Sequence, residues 1–599
     1  MIAKEWARWA CAAVATIALS AASPAGAQNE QAATTPTERP NIVLILIDDA
    51  GFTDLGAYGG EARTANIDAL AQRGVRFSNY HSSPLCSPSR AMLLTGVDNH
   101  RTGVATIPEV LPPSQRGQPG YSLHLEPGVT TVAARLQASG YRTYMTGKWH
   151  LGDGPGQLPN SHGFDRSFAL EASGADNWEQ KPYIPYYAHA DWYEDGEPAT
   201  LPGDFYSSRF MVDQMIEYIE SERADARPFF AYVAFQAVHI PVQAPREDSA
   251  RYRGRYDQGW TALREQRFRR AQELGLIPAE AALGPAPPRA RNWQDVEPGE
   301  RALLARSMEV HAGMLDSMDQ HIGRLIAYLE QSGELANTVF VVTSDNGPEP
   351  SNPLAARGFE QWMHLNGYTR ELENLGERGS MVAIGPEFAN ATAAPGALFK
   401  FYTTEGGTRV PMIIAGPGVG AGLRADGFAY VTDIAPTLLE LARVTPATEG
   451  VPMTGRSLTA VLRGEAQSAY GPDEPVGLEV SGNAALFRGD FKLVINQPPN
   501  GDGQWRLYNV RLDPGETRDL SAEMPDLFAQ MQRDYEAYVQ EMGVLPMPEG
   551  YNIHGQIETN TYARQFTRYM PFLIGAGVVL IALIGGLVWL FMRRRRTKA

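Results

Sequence analysis

The run NIVLILIDD, from Asn41 to Asp49, holds seven nearly unbroken apolar positions that end on two acids. A run without alternation predicts a central strand covered on both faces. PFFAYVAFQAVHIP (228–241) and NTVFVVTSDNG (337–347) repeat the pattern, each running into a polar end. Between them the period changes. TANIDALAQRGVRF (64–77) has helical spacing and a glycine stop. TVAARLQASGYRTYMTGKWHLG (131–152) reads helix, glycine, strand, loop. A long helix is expected over 300–332, with Leu304, Met308, Leu315, Met318, Ile322, Leu325 and Leu329 on one side. PSRAMLLTG (88–96) predicts a short helix with proline in its first turn, where a missing N–H costs nothing, and Cys86 just ahead of it. Strands alternating with helices imply an α/β fold, a large mixed central sheet flanked by helices.

After about residue 450 the segments shorten. GLEV, AALFRGDFKLVIN and WRLYNVRL predict a smaller antiparallel sheet, followed by the helix DLFAQMQRDYEAYVQEM. The expected layout is a catalytic α/β domain over 40–449 and a C-terminal α+β subdomain over 450–545. Segment 348–399 is long and poor in pattern, as a lid or substrate wall would be.

Both ends change the picture. Lys4 and Arg8 flank a short apolar stretch closed by Ala25-Gly26-Ala27, which reads as a signal peptide over 1–27 with a polar linker over 28–39. Pro571–Met592 carries no charge and is long enough to cross the hydrocarbon as a C-terminal transmembrane helix. It follows a juxtamembrane segment over 546–570 and precedes a basic tail, 593–599, whose clustered arginines stay cytoplasmic. The catalytic domain is therefore expected outside the membrane, periplasmic or otherwise extracytoplasmic. The 599 residues carry a formal charge of -16, and so acidic a surface argues against a nucleic-acid partner.

Two cysteines occur, and Cys11 would leave with the signal peptide, so no disulfide explains Cys86. Arg90 stands one helical turn beyond it. A helix start and a guanidinium together suit a tetrahedral anion. A thiolate nucleophile of the tyrosine-phosphatase kind needs a longer gap than the three residues between Cys86 and Arg90. Asp48 and Asp49 close one buried strand, Asp345 and Asn346 another. Ligands in open α/β sheets gather at such ends, and oxygen donors without thiolate or imidazole suit Ca²⁺ or Mg²⁺.

LCSPSRAMLLTG, with DDAGFTDLGAYGG upstream and GKWHLG downstream, resembles the type I sulfatase family, a branch of the alkaline phosphatase superfamily, and most closely its bacterial arylsulfatases. The resemblance runs from about Asn41 to Met542. It implies a sulfuric ester hydrolase in which a maturation enzyme oxidises Cys86 to Cα-formylglycine, an aldehyde whose hydrate attacks sulfur. By the same resemblance Asp48, Asp49, Asp345 and Asn346, with the modified Cys86, bind calcium (magnesium less so). Arg90 holds the hydrated aldehyde, Lys148 and Lys400 bind sulfate, His150 contacts the diol, and His239 faces the leaving-group oxygen. Asp54 and Glu405 also match family positions and read as structural, and Gly406 and Gly407 permit a backbone course that side chains would block.

Two rivals stand beside this reading. One is a phosphonate monoester or phosphodiester hydrolase of the same superfamily. The other is a non-catalytic, membrane-tethered sulfate-ester binder with an unmodified Cys86. Trp178, Tyr183, Tyr186, Tyr187 and Trp192 are candidates for the wall around the substrate's alcohol, or else for core.

Overall fold

The computed structural model describes residues 39–445 and 450–596. The signal peptide of 1–27, nearly all of the 28–39 linker and the last three residues of the basic tail lie outside the described residues.

The central sheet has ten strands: β1 Asn41–Ile47, β2 Gly74–Phe77, β3 Arg142–Lys148, β4 Arg166–Leu170, β5 Trp192–Glu194, β6 Glu197–Ala199, β7 Phe229–Ala234, β8 Thr338–Ser344, β9 Met412–Ala415 and β10 Leu423–Ala425. Their order is β10-β2-β9-β8-β1-β7-β3-β4-β5-β6. The middle of the sheet, β8-β1-β7-β3-β4, is wholly parallel, whereas β9 runs antiparallel to both its neighbours. Every residue of β1, β3 and β8 is buried, which is why those stretches of sequence do not alternate.

Helices α1 Ala65–Arg73, α2 Cys86–Thr95, α3 Val132–Ala138, α4 Ser207–Ser221 and α5 Pro298–Gln331 cover the sheet. A four-stranded antiparallel sheet follows: β11 Pro475–Val480, β12 Asn483–Arg488, β13 Phe491–Ile495 and β14 Arg506–Asn509. It carries α6 Pro525–Met542, and the chain ends in α7 Ile553–Arg596. Leu478, Val480, Phe487 and Val494 of the small sheet join the main hydrophobic core, so both sheets share one interior.

Three expectations change. Helix α2 begins at Cys86 rather than two residues later, because Leu85 is extended and the Ser89 N–H already donates to the Leu85 carbonyl at 3.2 Å. Segment 348–399 is structured, with helices at Phe359–Leu365 and Gly385–Thr392 and its own small core of Phe359, Met363, Tyr368 and Met381. The 546–570 segment and the apolar run of 571–592 are largely one continuous helix, α7, with Pro571 inside it rather than at its start.

Candidate active site

The parallel strands β8, β1, β7 and β3 are neighbours, and the candidate residues lie at or just beyond their carboxyl ends. Asp48 and Asp49 follow β1, Asp345 and Asn346 follow β8, Lys148 closes β3 with His150 two residues on, and His239 lies in the turn after β7. Lys400 and α2 complete the cluster. Sequence-distant residues meet there because parallel strands all deliver their carboxyl ends to one edge of the sheet.

Cys86 occupies the first turn of α2, buried, and Arg90 follows at i+4 on the same face. Arg90 donates from Nε and Nη2 to Asp345 Oδ2 at 2.9 and 2.7 Å, and from Nη1 to the Lys148 carbonyl at 2.8 Å. Its Nη2 also lies 3.5 Å from Asp48. Its donors thus serve to position carboxylates, where the sequence suggested an open anion receptor. Lys148 Nζ reaches both Asp48 oxygens, at 2.7 and 2.9 Å. Lys400 Nζ bridges Asp49 at 2.8 Å and Glu349 at 2.9 Å. Glu349 is absent from the sequence-derived set. Nothing in DNGPE distinguishes it from a loop acid, and only its approach to Lys400, Asp49 and His239 brings it into the cluster.

The backbone is held in uncommon conformations here. Asp49 has φ 65°, His150 φ 57° and Phe401, next to Lys400, φ 79°. Such left-handed residues persist where surrounding contacts over-determine them. Asp49 is fixed by its N–H donating to Asp345 Oδ1 at 3.2 Å and by Asn346 Nδ2 donating to its Oδ1 at 2.5 Å.

Burial pushes the Cys86 thiol up to about 11, against the partial opposition of Lys148 and Lys400, so it is a neutral thiol at ordinary pH and a poor nucleophile. Burial likewise lifts the Asp48 carboxyl despite Lys148. At Asp345 burial pulls the same way, but the Arg90 guanidinium, Lys148, Lys400 and the Asp49 N–H together outweigh it and hold the carboxyl below its usual range. Burial opposes the charge on Lys400, yet Asp49 and Glu349 keep it protonated. Burial and then the neighbouring lysines push His150 and His239 well below the usual imidazole range.

Two features remain unsatisfied in this dry cluster. Asn346 Oδ1 is buried without a hydrogen-bond partner, and so are both ring nitrogens of His150. An orphaned carbonyl oxygen beside Asp48, Asp49 and Asp345 fits a hard cation, since an unpaired buried acceptor costs about 1–3 kcal/mol. Ligand atoms of Asp48, Cys86 and Asp345 all lie within 4.8 Å of one another. His239 is oriented by Nδ1, 2.6 Å from the Ile240 carbonyl, and its ring meets Tyr183 edge-on at 5.1 Å. Gly174 packs so closely that a Cβ there would stand 2.8 Å from His239 Nδ1.

Asp54 and Glu405 lie outside this cluster of ligands. Asp54 pairs with Arg267 at 2.7 Å and accepts from the Gly51 N–H at 2.7 Å, pinning the loop after β1. Glu405 accepts from His81, Arg409 and Lys492 at 3.0, 2.5 and 2.8 Å, tying β13 to the catalytic core. A Cβ at Gly406 or Gly407 would come within 2.3 or 2.0 Å of a carbonyl oxygen, so close approach excludes side chains there. Of the aromatics, Tyr183 is the one set against a candidate catalytic group, and Trp192 is core, stacked on Phe168 at 5.0 Å.

The sulfatase family profile matches residues 40–444. An uncharacterised sulfatase of Schizosaccharomyces pombe is 34% identical over 86% of this chain and 96% of its own length. The arylsulfatase of Klebsiella aerogenes is 37% identical over 71% of this chain and 92% of its own. Among solved structures, Ps i-CgsB in complex with k-i-k-neocarrahexaose superposes with a TM-score of 0.60 at 23% identity, over 89% of this chain and 99% of that one.

Proposed function

The chain belongs to the sulfatase family, whose members hydrolyse sulfate esters, and from that premise we propose that it cleaves sulfate monoesters, aryl or alkyl, into alcohol and inorganic sulfate. In this reading Cys86 is matured to Cα-formylglycine by a dedicated enzyme. Asp48, Asp49, Asp345 and Asn346 hold a divalent cation, calcium in preference to magnesium.

The observation that carries the reading is the unsatisfied set around Cys86: an orphan oxygen on Asn346 and two free nitrogens on His150, in a pocket rich in fixed charge. When present, the hydrated aldehyde supplies an oxygen nucleophile and the cation supplies positive charge beside it. The chain's own residues do the rest. Arg90 locks Asp345 and, through the Lys148 carbonyl, the end of β3. Lys148 and Lys400 exchange part of their contact with Asp48 and Asp49 for the sulfonyl oxygens, a preorganised charge that is usually the largest catalytic contribution. With Nδ1–H committed to the Ile240 carbonyl, the neutral ring of His239 presents Nε2 to the leaving-group side as an acceptor, and Lys400, kept protonated by Asp49 and Glu349, is the donor from which the departing alcohol oxygen takes its proton. A free nitrogen of His150 accepts the proton that must leave position 86 when sulfate is released. The remaining ordered assignment is location: α7 anchors an exported catalytic domain to the membrane through Pro571–Met592.

Hydrolysis of p-nitrophenyl sulfate measured beside the phosphonate analogue tests the reaction. A preference for the phosphonate would move the enzyme to the neighbouring branch of the superfamily. An intact thiol in the tryptic peptide Phe77–Arg90 of fully active enzyme would overturn the formylglycine assignment.

A further inference from the structure

Helix α7 does two things along one continuous axis. No residue of its apolar half, Pro571–Met592, is buried, and Phe572, Ile581 and Leu587 are among the most exposed large side chains. At 1.5 Å per residue it covers about 33 Å, the thickness of a hydrocarbon core. Its first half, from Ile553 to Arg568, lies on the catalytic body along one stripe of contact.

That contact falls on the leaving-group side of the site. The ring of His554 lies 6.2 Å from Phe401, the residue after Lys400. Asn560, buried, donates from Nδ2 to the Glu109 and Leu111 carbonyls at 2.9 and 3.0 Å and accepts from Arg116 at 2.7 Å. The Glu109 carboxylate receives Tyr187 at 2.6 Å and Ser173 at 2.8 Å. Ser173 meets the Tyr183 hydroxyl at 2.8 Å, and Tyr183 packs edge-on against His239. Arg564 stacks over Tyr186 at 4.2 Å, and Arg568 donates to the Tyr186 carbonyl at 3.4 Å.

Arg568 stands three residues before Pro571, about 4.5 Å along the axis, which is the depth of lipid headgroups. On the opposite face, Tyr562, Phe566 and Tyr569 follow helical spacing and are each more than half exposed. Aromatics in that position seat in the interface of a bilayer. Tyr183 is three residues from Tyr186, at most about 11 Å of extended chain. No flexible linker separates the body from the span, so the leaving-group side of His239 is held on the order of 20 Å from hydrocarbon.

We infer that the substrate is a sulfate ester borne by an amphiphile resident in the bilayer, a sulfated sterol or long-chain alcohol, presented to the site by the docked half of α7. This rests on the sulfatase and anchor readings above. The sulfate enters the charged pocket from the membrane side, water replaces the alcohol at sulfur, inorganic sulfate leaves to the aqueous phase, and the alcohol stays in the bilayer.

The full chain is reconstituted into phosphatidylcholine vesicles carrying a sterol sulfate, with p-nitrophenyl sulfate as the soluble control. A rigid ten-residue helical spacer between Tyr569 and Met570 lifts the body by about 15 Å. It is expected to lower sterol sulfate hydrolysis at least tenfold and leave the soluble control within twofold, whereas a flexible Gly-Ser spacer of the same length restores most of the rate. Phe566→Glu, at an exposed position, gives the same selective loss without touching the fold. Equal vesicle rates for parent, rigid spacer and Phe566→Glu overturn the inference, as does a parent that cleaves p-nitrophenyl sulfate but not the vesicle-borne ester. A parent that cleaves neither overturns the sulfatase reading itself.

Discussion

Arg90 and Asp345 meet on a single oxygen: Nε and Nη2 both donate to Oδ2, at 2.9 and 2.7 Å, with neither side chain exposed. Removing one partner of a buried pair leaves the other charge uncompensated, which typically costs about 3–5 kcal/mol. Arg90→Met should therefore lower unfolding free energy by about that amount in a denaturant titration. Arg90→Lys keeps the charge but loses the fork, so Asp345 is misplaced. Its kcat should fall about 100-fold with a smaller loss of stability.

Cys86→Ser should abolish sustained turnover while preserving the fold, since a small polar side chain still fits the first turn of α2. A serine lacks the second hydroxyl that releases product, so at most one equivalent of p-nitrophenol is expected, with sulfate retained on the Phe77–Arg90 peptide by mass spectrometry. Wild-type turnover by this variant would refute the proposed chemistry.

Chelation tests the oxygen cluster. With the Asn346 oxygen unpartnered beside three aspartates, dialysis against EGTA should lower both activity and thermal midpoint, and added Ca²⁺ should restore both. A ligand at 100 times its Kd stabilises by about 2.7 kcal/mol, enough to raise the midpoint measurably by calorimetry. Asn346→Ala should shift the calcium midpoint to higher concentration.

His100 gives a pH signature away from the site. Burial alone would lower its pKa, but hydrogen bonds to Asp98 and Glu479, at 3.3 and 2.8 Å, raise it to about 9. The folded value exceeds the unfolded one of about 6.5, so its stabilising contribution is complete below that pH and is lost as pH rises through 9. Relative to His100→Gln, the wild type should be a few kcal/mol more stable at pH 6, and the gap should close by pH 10.

Glu405 should separate structure from catalysis. It accepts from His81, Arg409 and Lys492, all buried. Glu405→Gln leaves the Arg409 and Lys492 cations undercompensated and should lower unfolding free energy by about 3–5 kcal/mol. The kcat per folded molecule, measured well below the unfolding midpoint, should change by less than about threefold, because no substrate contact is removed.

Much of this was legible along the chain because burial on both faces leaves a local mark. β1, β7 and β8 are nearly continuous apolar runs, and the acids that end β1 and β8, with His239 beyond β7, stand at the edge of a parallel sheet where ligands collect. The short motif around Cys86 was readable for a similar reason, since one helical turn places Arg90 over it. What the chain could not carry locally is pairing across distance. Glu349 looks like any loop acid until Lys400 is folded onto it. Arg90 suggests an anion receptor until Asp345 arrives from 255 positions away. Asn560 is an unremarked amide ahead of the apolar run until Glu109 and Leu111 turn their carbonyls towards it. Sequence thus determined most of the sheet and helix elements, their order and the identity of the candidate site side chains, because periodicity and capping act within a few residues. Tertiary structure alone decided which charge neutralises which and where the first half of the apolar C-terminal helix rests, because hydrogen bonds and Coulomb attraction in a buried interior depend on ångström distances that sequence separation does not encode.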